Sequence, residues 1–244
     1  MTSFYVRILI AAIALLAPVF VPAKVYLVSV GIADYPGTAN DLKLPAKDAQ
    51  TITWLYAKNS SLQYCQLLNK EATRSKIVAA MDKVFAMAGE NDIVVFFFSG
   101  HGYPGGFCVY DGNLNYREIR TSMSKSKCRN KMIFADACFS GKMRREETHV
   151  AQTEMISAQK ANVILFLSSR SDETSIERGD MQNGFFTTYL QKGLRGGADS
   201  NQDRIITTRE LFDYVSKNVV KISNDEQHPV MWGRFSDNMP VMKW

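Results

Sequence analysis

The sequence has 244 residues, of which 46% are apolar and 22% are charged, with a formal net charge of +5. This is the composition of an ordinary globular protein with enough apolar residues for one good core. The excess of positive charge is mild and forms no basic cluster of the size that argues for nucleic-acid binding, so we expect no nucleic-acid partner.

The first 23 residues form a segment of their own. Arg7 is followed by an apolar run over 8–17, and the segment ends in Val21-Pro22-Ala23 before Lys24. A short basic start, an apolar core and a small residue at the end are typical of a secretory signal. Because the run is shorter than the roughly 20 residues that a membrane span needs, we favour a signal cleaved after Ala23 over an uncleaved anchor.

This interpretation predicts a secreted or periplasmic protein without stable membrane insertion, whose single remaining domain covers 24–244. Export permits disulfides. The sequence has four cysteines, none at metal-ligand spacing, and it does not decide which of them would pair: Cys65, Cys108, Cys128 and Cys138.

Predicted strands and helices alternate along the rest of the chain. Apolar runs predict strands at 24–30, 63–68, 92–98, 131–135, 161–167 and 228–232, with a small hairpin at 105–112. Helical spacing of apolar residues predicts helices at 46–58, 74–88, 116–124, 185–194 and 207–220. This alternation predicts an α/β fold with a mostly parallel sheet and helices on both faces.

Two of the predicted strands end in short motifs with reactive side chains. The strand at 92–98 runs into SGHG at 99–102, and the strand at 131–135 runs into DACFSG at 136–141. In an open α/β sheet, ligands bind at the carboxyl ends of the strands. A histidine beside a cysteine is what a thiol nucleophile needs, because the imidazole can lower the thiol pKa and hold a proton. We therefore predict that Cys138 is a nucleophile and that His101 is its proton partner.

The two motifs together resemble the caspase/metacaspase family of cysteine peptidases, in particular its bacterial members. The resemblance extends from Lys24 to roughly Trp232, and Phe139 replaces a second histidine that metacaspases usually have. It implies a caspase-like three-layer sandwich and peptide hydrolysis through an acyl-enzyme. It also implies an oxyanion hole made by the backbone N–H groups of Gly102 and Cys138.

The same resemblance assigns a substrate pocket to Asp48, Ser99 and Asp136. Metacaspases hold an arginine or lysine P1 side chain with aspartates at the two acidic positions, and two buried carboxylates repel each other unless a cation lies between them. This implies a peptide or protein substrate with a basic P1 residue. Two structural alternatives stay open: Asp48 as a carboxylate at a helix N-terminus, and Asp136 as a turn cap. Arg170 also leaves open a preference for P1 aspartate, since caspases recruit a pocket arginine from this neighbourhood.

Residues 199–210 fit the twelve-residue EF-hand loop. Asp199, Asn201 and Asp203 occupy its first, third and fifth positions, and Glu210 its twelfth. The sixth position, usually glycine, is Arg204. The same residues would also build an Asx-turn loop before a capped helix without any ion. We predict that no cofactor is required and leave calcium binding at this loop open.

The sequence alone leaves two classes of function open. The first is a secreted cysteine endopeptidase that cuts after arginine or lysine, and the second is a catalytically silent caspase-fold module that binds protein or responds to calcium. The intact His101 and Cys138 favour the enzyme. The polar stretch at 142–160 lies where family members often carry a cleavable linker, which makes it a candidate for self-cleavage.

Overall fold

The computed structural model describes residues 23–103, 105–138, 163–168, 182–233 and 236–243, without the side chain of Cys138. The predicted signal at 1–22, the candidate linker at 142–160 and Arg170 lie outside these ranges. Within them, no helix combines the length and the apolar character needed to cross a membrane.

An eight-stranded sheet forms the middle layer, and its central strands are continuous runs of buried apolar residues. Its strands are β1 (Val25–Gly31), β2 (Leu62–Leu68), β3 (Ile93–Tyr103), β4 (Gly106–Val109), β5 (Gly112–Asn115), β6 (Asn130–Cys138), β7 (Val163–Leu167) and β9 (Val230–Trp232). The order is β2-β1-β3-β6-β7-β9, and the β4–β5 hairpin pairs with the end of β3. The pairs β2–β1, β1–β3, β3–β6 and β6–β7 are parallel, whereas β9 runs antiparallel to β7.

Helices cover both faces, as the sequence predicts. They are α1 (Pro45–Asn59), α2 (Arg74–Phe85), α3 (Tyr116–Ser124), α4 (Phe185–Lys192) and α5 (Thr208–Ile222). The alternation of β3 explains the two layers, because Phe96 and Phe98 pack in one core with α2 and α3, while Phe97 packs in the other with α1, α4 and α5. The fold is therefore the expected three-layer α/β sandwich.

Helix ends depart from the prediction by a few residues, where local capping decides them. The helix predicted at 74–88 ends at Phe85, and the one predicted at 207–220 runs from Thr208 to Ile222, after a capping box between Thr207 and Glu210. The helix predicted at 185–194 ends at Lys192 and continues as a π-helical turn over Gly193–Gly197.

A second, two-stranded sheet was not predicted from the sequence. It pairs β8 (Ile205–Thr207) with β10 (Pro240–Lys243) in antiparallel fashion. Both strands are short, and their pairing joins segments more than thirty positions apart along the chain. A local apolar pattern therefore could not indicate it, since strands of this length carry too few alternating positions.

The packing of α1 against β1 fixes the position of Asp48, one of the predicted pocket residues. Gly31 ends β1, and a Cβ atom placed there would lie 2.2 Å from the Pro45 carbonyl oxygen, so only glycine permits this close approach. Ser29 adds a hydrogen bond of 3.0 Å from its hydroxyl to the Ala49 carbonyl. These contacts hold the first turn of α1, which carries Asp48, against the carboxyl end of the sheet.

Candidate active site

The two predicted catalytic residues are register partners at the carboxyl ends of neighbouring strands. The parallel pairing of β3 with β6 runs from Ile93 opposite Asn130 to His101 opposite Cys138. Neighbouring strands lie roughly 4.8 Å apart, so the sheet brings these two backbone positions side by side. The pairing required by a Cys/His dyad is thus present in the backbone.

The imidazole of His101 is held from the loop between β1 and α1. Its Nε2 atom lies 2.8 Å from the carbonyl oxygen of Asn40, and its ring centroid lies 5.0 Å from that of Tyr35. A carbonyl can only accept a hydrogen bond, so Nε2 carries a proton. In the neutral ring, Nδ1 is therefore the nitrogen that can accept a proton from a thiol or from water.

The residue before Cys138 is held through its own peptide groups. The Ser168 hydroxyl accepts a hydrogen bond of 3.1 Å from the Ala137 amide and donates one of 3.0 Å to the Ala137 carbonyl. Gln227, which is fully buried, donates a hydrogen bond of 2.8 Å to the Ser168 carbonyl. This chain of contacts fixes the end of β6, and hence the backbone at Cys138, relative to β7.

The three predicted pocket residues come together at the same end of the sheet. Ser99 is the register partner of Asp136, and its hydroxyl donates a hydrogen bond of 2.8 Å to Oδ2 of Asp48. Both carboxylates are almost inaccessible, with 1% of Asp48 and 6% of Asp136 exposed. The sheet and α1 thus place two acidic side chains in one buried region beside the candidate dyad.

Helix α4 directs its N-terminus at both carboxylates. Asn183 donates a side-chain hydrogen bond of 2.7 Å to Oδ1 of Asp48, and the Gly184 amide donates one of 3.2 Å to the same oxygen. The Thr187 amide and hydroxyl donate to Oδ2 of Asp136 at 3.0 and 2.8 Å. The positive end of the helix dipole therefore stabilises the negative charges of the pocket.

Gly184 makes this approach possible. A Cβ atom at this position would lie 2.4 Å from Oδ2 of Asp136, which is closer than real Cβ atoms come to other atoms. A side chain there would push the helix away from the carboxylate. The Asn183-Gly184 pair therefore belongs to the same buried polar cluster as the two aspartates, although the sequence only indicated a helix that starts at Phe185.

The charge of Asp48 is unfavourable in this environment. Burial and, to a smaller extent, the charge of Asp136 raise its pKa to about 8, although the bonds from Asn183, Ser99 and Gly184 act in the opposite direction. Desolvation thus outweighs the hydrogen bonds. The repulsion that the sequence predicted between the two acidic groups is present, and a cation between them would relieve it.

The structural alternatives for the two aspartates describe real contacts as well. Asp48 lies in the first turn of α1 and accepts from the N-terminus of α4, and Asp136 accepts from the third residue of α4. Capping and substrate binding use the same carboxylates, so the pocket role of these residues stays a prediction. The P1-aspartate alternative depends on Arg170, which lies outside the described residues.

The 199–210 loop has the backbone conformation expected at the sixth position of the motif, but its own hydrogen bonds already engage several candidate ligands. Arg204 adopts φ 63°, the left-handed conformation that glycine normally supplies at the sixth position. Asp199 accepts from the amides of Asp203 and Arg204, and Glu210 accepts from Ser200 and caps α5. Within the described ranges no group of three or more His, Cys, Asp or Glu side chains is arranged to hold a metal ion. Calcium binding here stays a prediction.

Sequence reasoning missed several residues that hold the predicted ones in place. Their signals are weak for physical reasons: Asn40 acts through its backbone carbonyl, which every residue has, and Ser168 acts on a peptide group of another strand. Asn183, Gly184 and Thr187 lie close to a recognisable feature, the start of the helix predicted at 185. These residues are Tyr35, Asn40, Ser168, Asn183, Gly184 and Thr187.

Comparison with known proteins identifies the family and the fold. The model of the caspase domain family matches residues 25–239. Among solved structures, the crystal structure of protein GSU0716 from Geobacter sulfurreducens superposes with a TM-score of 0.63 at 20% sequence identity, over 87% of this chain and 95% of that one. At this identity the likeness concerns the fold alone. A search of curated protein sequences gives no match.

Proposed function

Since the chain belongs to the caspase domain family, we propose that it is a cysteine endopeptidase that cleaves peptide bonds after arginine or lysine. The family match and the fold support a cysteine-type peptidase. One observation carries the finer proposal: the register that places His101 opposite Cys138 also places Ser99 opposite Asp136, with Asp48 hydrogen-bonded to Ser99. The candidate dyad and the buried acidic pair thus lie at the same end of the sheet, which supports the proposal.

In the proposed mechanism, Cys138 gives its thiol proton to Nδ1 of His101 and attacks the scissile carbonyl carbon. The carbon–sulfur bond forms, and the negative charge that develops on the carbonyl oxygen is stabilised by the backbone N–H groups of Gly102 and Cys138. His101 then protonates the leaving amine as the carbon–nitrogen bond breaks. In the second half, His101 takes a proton from water, which hydrolyses the thioester and restores the thiolate.

The Asn40 carbonyl supports this mechanism through the tautomer of His101. By accepting from Nε2, it keeps the proton of the neutral ring on that nitrogen and leaves Nδ1 free to act as a base. It also stabilises the protonated ring that exists between the two transfers, since the imidazolium donates a stronger hydrogen bond.

The proposed selectivity follows from the electrostatics of the acidic pair. Because burial and the charge of Asp136 together raise the Asp48 pKa to about 8, the acidic pair favours binding a proton when no cation is present. A guanidinium or ammonium group that enters between Asp48 and Asp136 lowers that pKa and replaces the proton as the counter-charge. A neutral or acidic P1 side chain offers no such compensation, so it binds poorly.

The test uses matched peptide reporters that differ only in P1, with arginine, lysine, aspartate or alanine. The wild type should cleave the first two, whereas Cys138→Ala and His101→Ala should lose this activity and retain the fold. Cys65→Ala is the matched control, because Cys65 is another free thiol that lies on β2, outside the site. A peptidyl-arginine electrophile should label the wild type and Cys65→Ala but not Cys138→Ala.

Three results would contradict the proposal. Turnover that survives in Cys138→Ala would show that Cys138 is not the nucleophile. A preference for P1 aspartate would favour an arginine-lined pocket instead. A wild type that neither cleaves a reporter nor reacts with the electrophile would favour the catalytically silent module.

We also propose that residues 1–23 act as an export signal. The signal peptidase should then leave Lys24 as the first residue, one position before β1 begins at Val25. N-terminal sequencing of the protein recovered from the periplasm or medium of an expressing bacterium measures this directly. A full-length chain retained in the membrane fraction would instead support the uncleaved anchor.

A further inference from the structure

A tyrosine hydroxyl lies between two strands at the candidate catalytic histidine. The antiparallel pairing of β3 with β4 places Gly102 opposite Phe107 and Tyr103 opposite Gly106. One step further along both strands, His101 would face Cys108. There the His101 amide donates to the Tyr35 hydroxyl at 2.9 Å, and that hydroxyl donates to the Cys108 carbonyl at 3.1 Å. The phenol oxygen therefore occupies the place of a direct bond between the strands.

The Tyr35 hydroxyl can accept one of these hydrogen bonds and donate the other because it stays neutral. Tyr35 is 7% exposed, and burial raises its pKa well above the ordinary value of 10.0. A neutral phenol donates one hydrogen bond and accepts others, whereas a phenolate could only accept. The neutral Tyr35 hydroxyl can therefore accept from the His101 amide and donate to the Cys108 carbonyl at the same time.

The same residue also contacts the imidazole. The rings of Tyr35 and His101 are tilted by 43° with centroids 5.0 Å apart. The imidazole is also bonded through Nε2 to the carbonyl of Asn40, which lies five positions after Tyr35 in the chain. Tyr35 thus fixes the backbone of His101 through its hydroxyl and one side of the ring through its own ring, and the two contacts together restrict the side-chain rotamer.

The loop that carries Tyr35 is itself anchored. The Tyr35 amide donates a hydrogen bond of 3.1 Å to the Asp41 side chain, and the Ala33 amide donates one of 2.9 Å to the Asn69 side chain. A further bond of 2.8 Å runs from the Leu42 amide to the Ala33 carbonyl. The hydroxyl is therefore presented from a closed loop rather than from a free one.

Gly100 makes room for the hydroxyl. Its φ is 153°, and a Cβ atom at this position would lie 2.6 Å from the Tyr35 hydroxyl oxygen and 3.1 Å from the Phe98 ring. A side chain there would displace the tyrosine from the His101 amide. The glycine that precedes His101 in the SGHG motif thus serves the contact with Tyr35.

We propose that Tyr35 is a positioning residue for His101, whose hydroxyl and ring keep the imidazole aimed at the nucleophile. The expected loss of activity rests on the proposed peptidase function, but the positioning of the imidazole can be measured without substrate. Removing the hydroxyl should lower kcat roughly 10- to 100-fold, the size of effect expected when a catalytic group is misplaced by about 1 Å. KM should be unchanged, because the hydrogen bonds of Tyr35 run to Asp41, His101 and Cys108, away from the proposed P1 pocket.

The experiment compares Tyr35→Phe with Tyr56→Phe. Both variants remove a hydroxyl from a buried tyrosine, but the Tyr56 hydroxyl has no hydrogen-bond partner among the described residues. Three measurements are made on wild type and both variants: kcat and KM on a P1-arginine reporter, the pH profile of Cys138 alkylation by iodoacetamide, and the NMR titration of the His101 ring. Tyr35→Phe should lower kcat and shift both pH profiles, and Tyr56→Phe should change none of them.

Equal kcat and superimposable profiles for Tyr35→Phe and wild type would overturn the inference. If Tyr35→Phe fails to fold, the wild type decides: the Tyr35 hydroxyl proton should exchange slowly and show a cross-peak to the His101 amide proton, and its absence refutes the bridge. If the wild type cleaves no arginine or lysine reporter, the proposed function fails, while the alkylation profile and the titration still decide the role of Tyr35.

Discussion

Replacing Asp48 by asparagine tests two effects of this carboxylate separately: its effect on the stability of the fold and its proposed role in binding a basic P1 side chain. The substitution keeps the size of the side chain and one carbonyl oxygen, which can still accept from Asn183 and Gly184. The new amide group can donate to the Ser99 hydroxyl, which accepts as well as donates. The variant therefore preserves the hydrogen bonds of the site and removes only the group that titrates.

The magnitude follows from the raised pKa. Asp48 titrates near 3.8 in the unfolded chain and at about 8 in the folded protein, so the folded state binds the proton more tightly. The free energy of unfolding of the wild type must then fall as pH rises from about 4 to about 8, and level off above that. Between pH 5 and pH 8 the loss is about 4 kcal/mol at 1.36 kcal/mol per pH unit, as an upper bound.

The assay is urea unfolding of wild type and Asp48→Asn at pH 5 and pH 8, both in a Cys138→Ala background that prevents self-cleavage. The difference in the free energy of unfolding between the two proteins should widen by up to about 4 kcal/mol in favour of Asp48→Asn. Asp213→Asn is the control, because the Asp213 side chain is 63% exposed. It should follow the wild type at both pH values.

The same substitution should impair catalysis. With Cys138 restored, Asp48→Asn should lose at least about a hundredfold in kcat/KM on arginine and lysine reporters, since breaking a buried charge pair on one side costs roughly 3–5 kcal/mol. Stability and activity would thus change in opposite directions. Wild type and Asp48→Asn that lose stability in parallel between pH 5 and pH 8 would refute the raised pKa, and an unchanged kcat/KM would refute the pocket.

Three further predictions concern other parts of the molecule. Ser168→Ala removes both bonds to Ala137 and should lower kcat about tenfold with KM unchanged; steady-state kinetics at wild-type level would show that the end of β6 needs no such support. If the 199–210 loop binds calcium, millimolar Ca²⁺ should raise the Tm of the wild type but not of Asp199→Ala, and identical melting curves with calcium and with chelator would dismiss the site. On incubation, wild type should cut itself after a lysine or arginine within 142–160 while Cys138→Ala stays whole, as mass spectrometry of fragment termini would show; an active but uncut wild type would exclude this route of activation.

The sequence determined the layers of the fold and the strand ends at which the two candidate catalytic residues lie. The central strands are apolar runs that only a sheet buried on both faces can accommodate, and the periodic helices between them supply the cover. His101 and Cys138 could be chosen as candidates because each lies three positions after the end of such a run, and parallel neighbours end at the same edge of a sheet. Local pattern and residue chemistry suffice for these features, since neither depends on a distant partner.

The tertiary structure alone decided what holds these residues in place. Asp48 meets Ser99 across 51 positions and Asn183 across 135, and Tyr35 meets His101 across 66. Such contacts depend on how loops close and on the register of strands, which no local pattern records. The raised pKa of Asp48 is likewise a feature that no local pattern records, because the desolvation of a carboxylate depends on what packs around it. A side chain that looks like an ordinary helix-terminal aspartate in the sequence thus becomes, once α4 closes over it, a buried group whose charge is unfavourable without a cation.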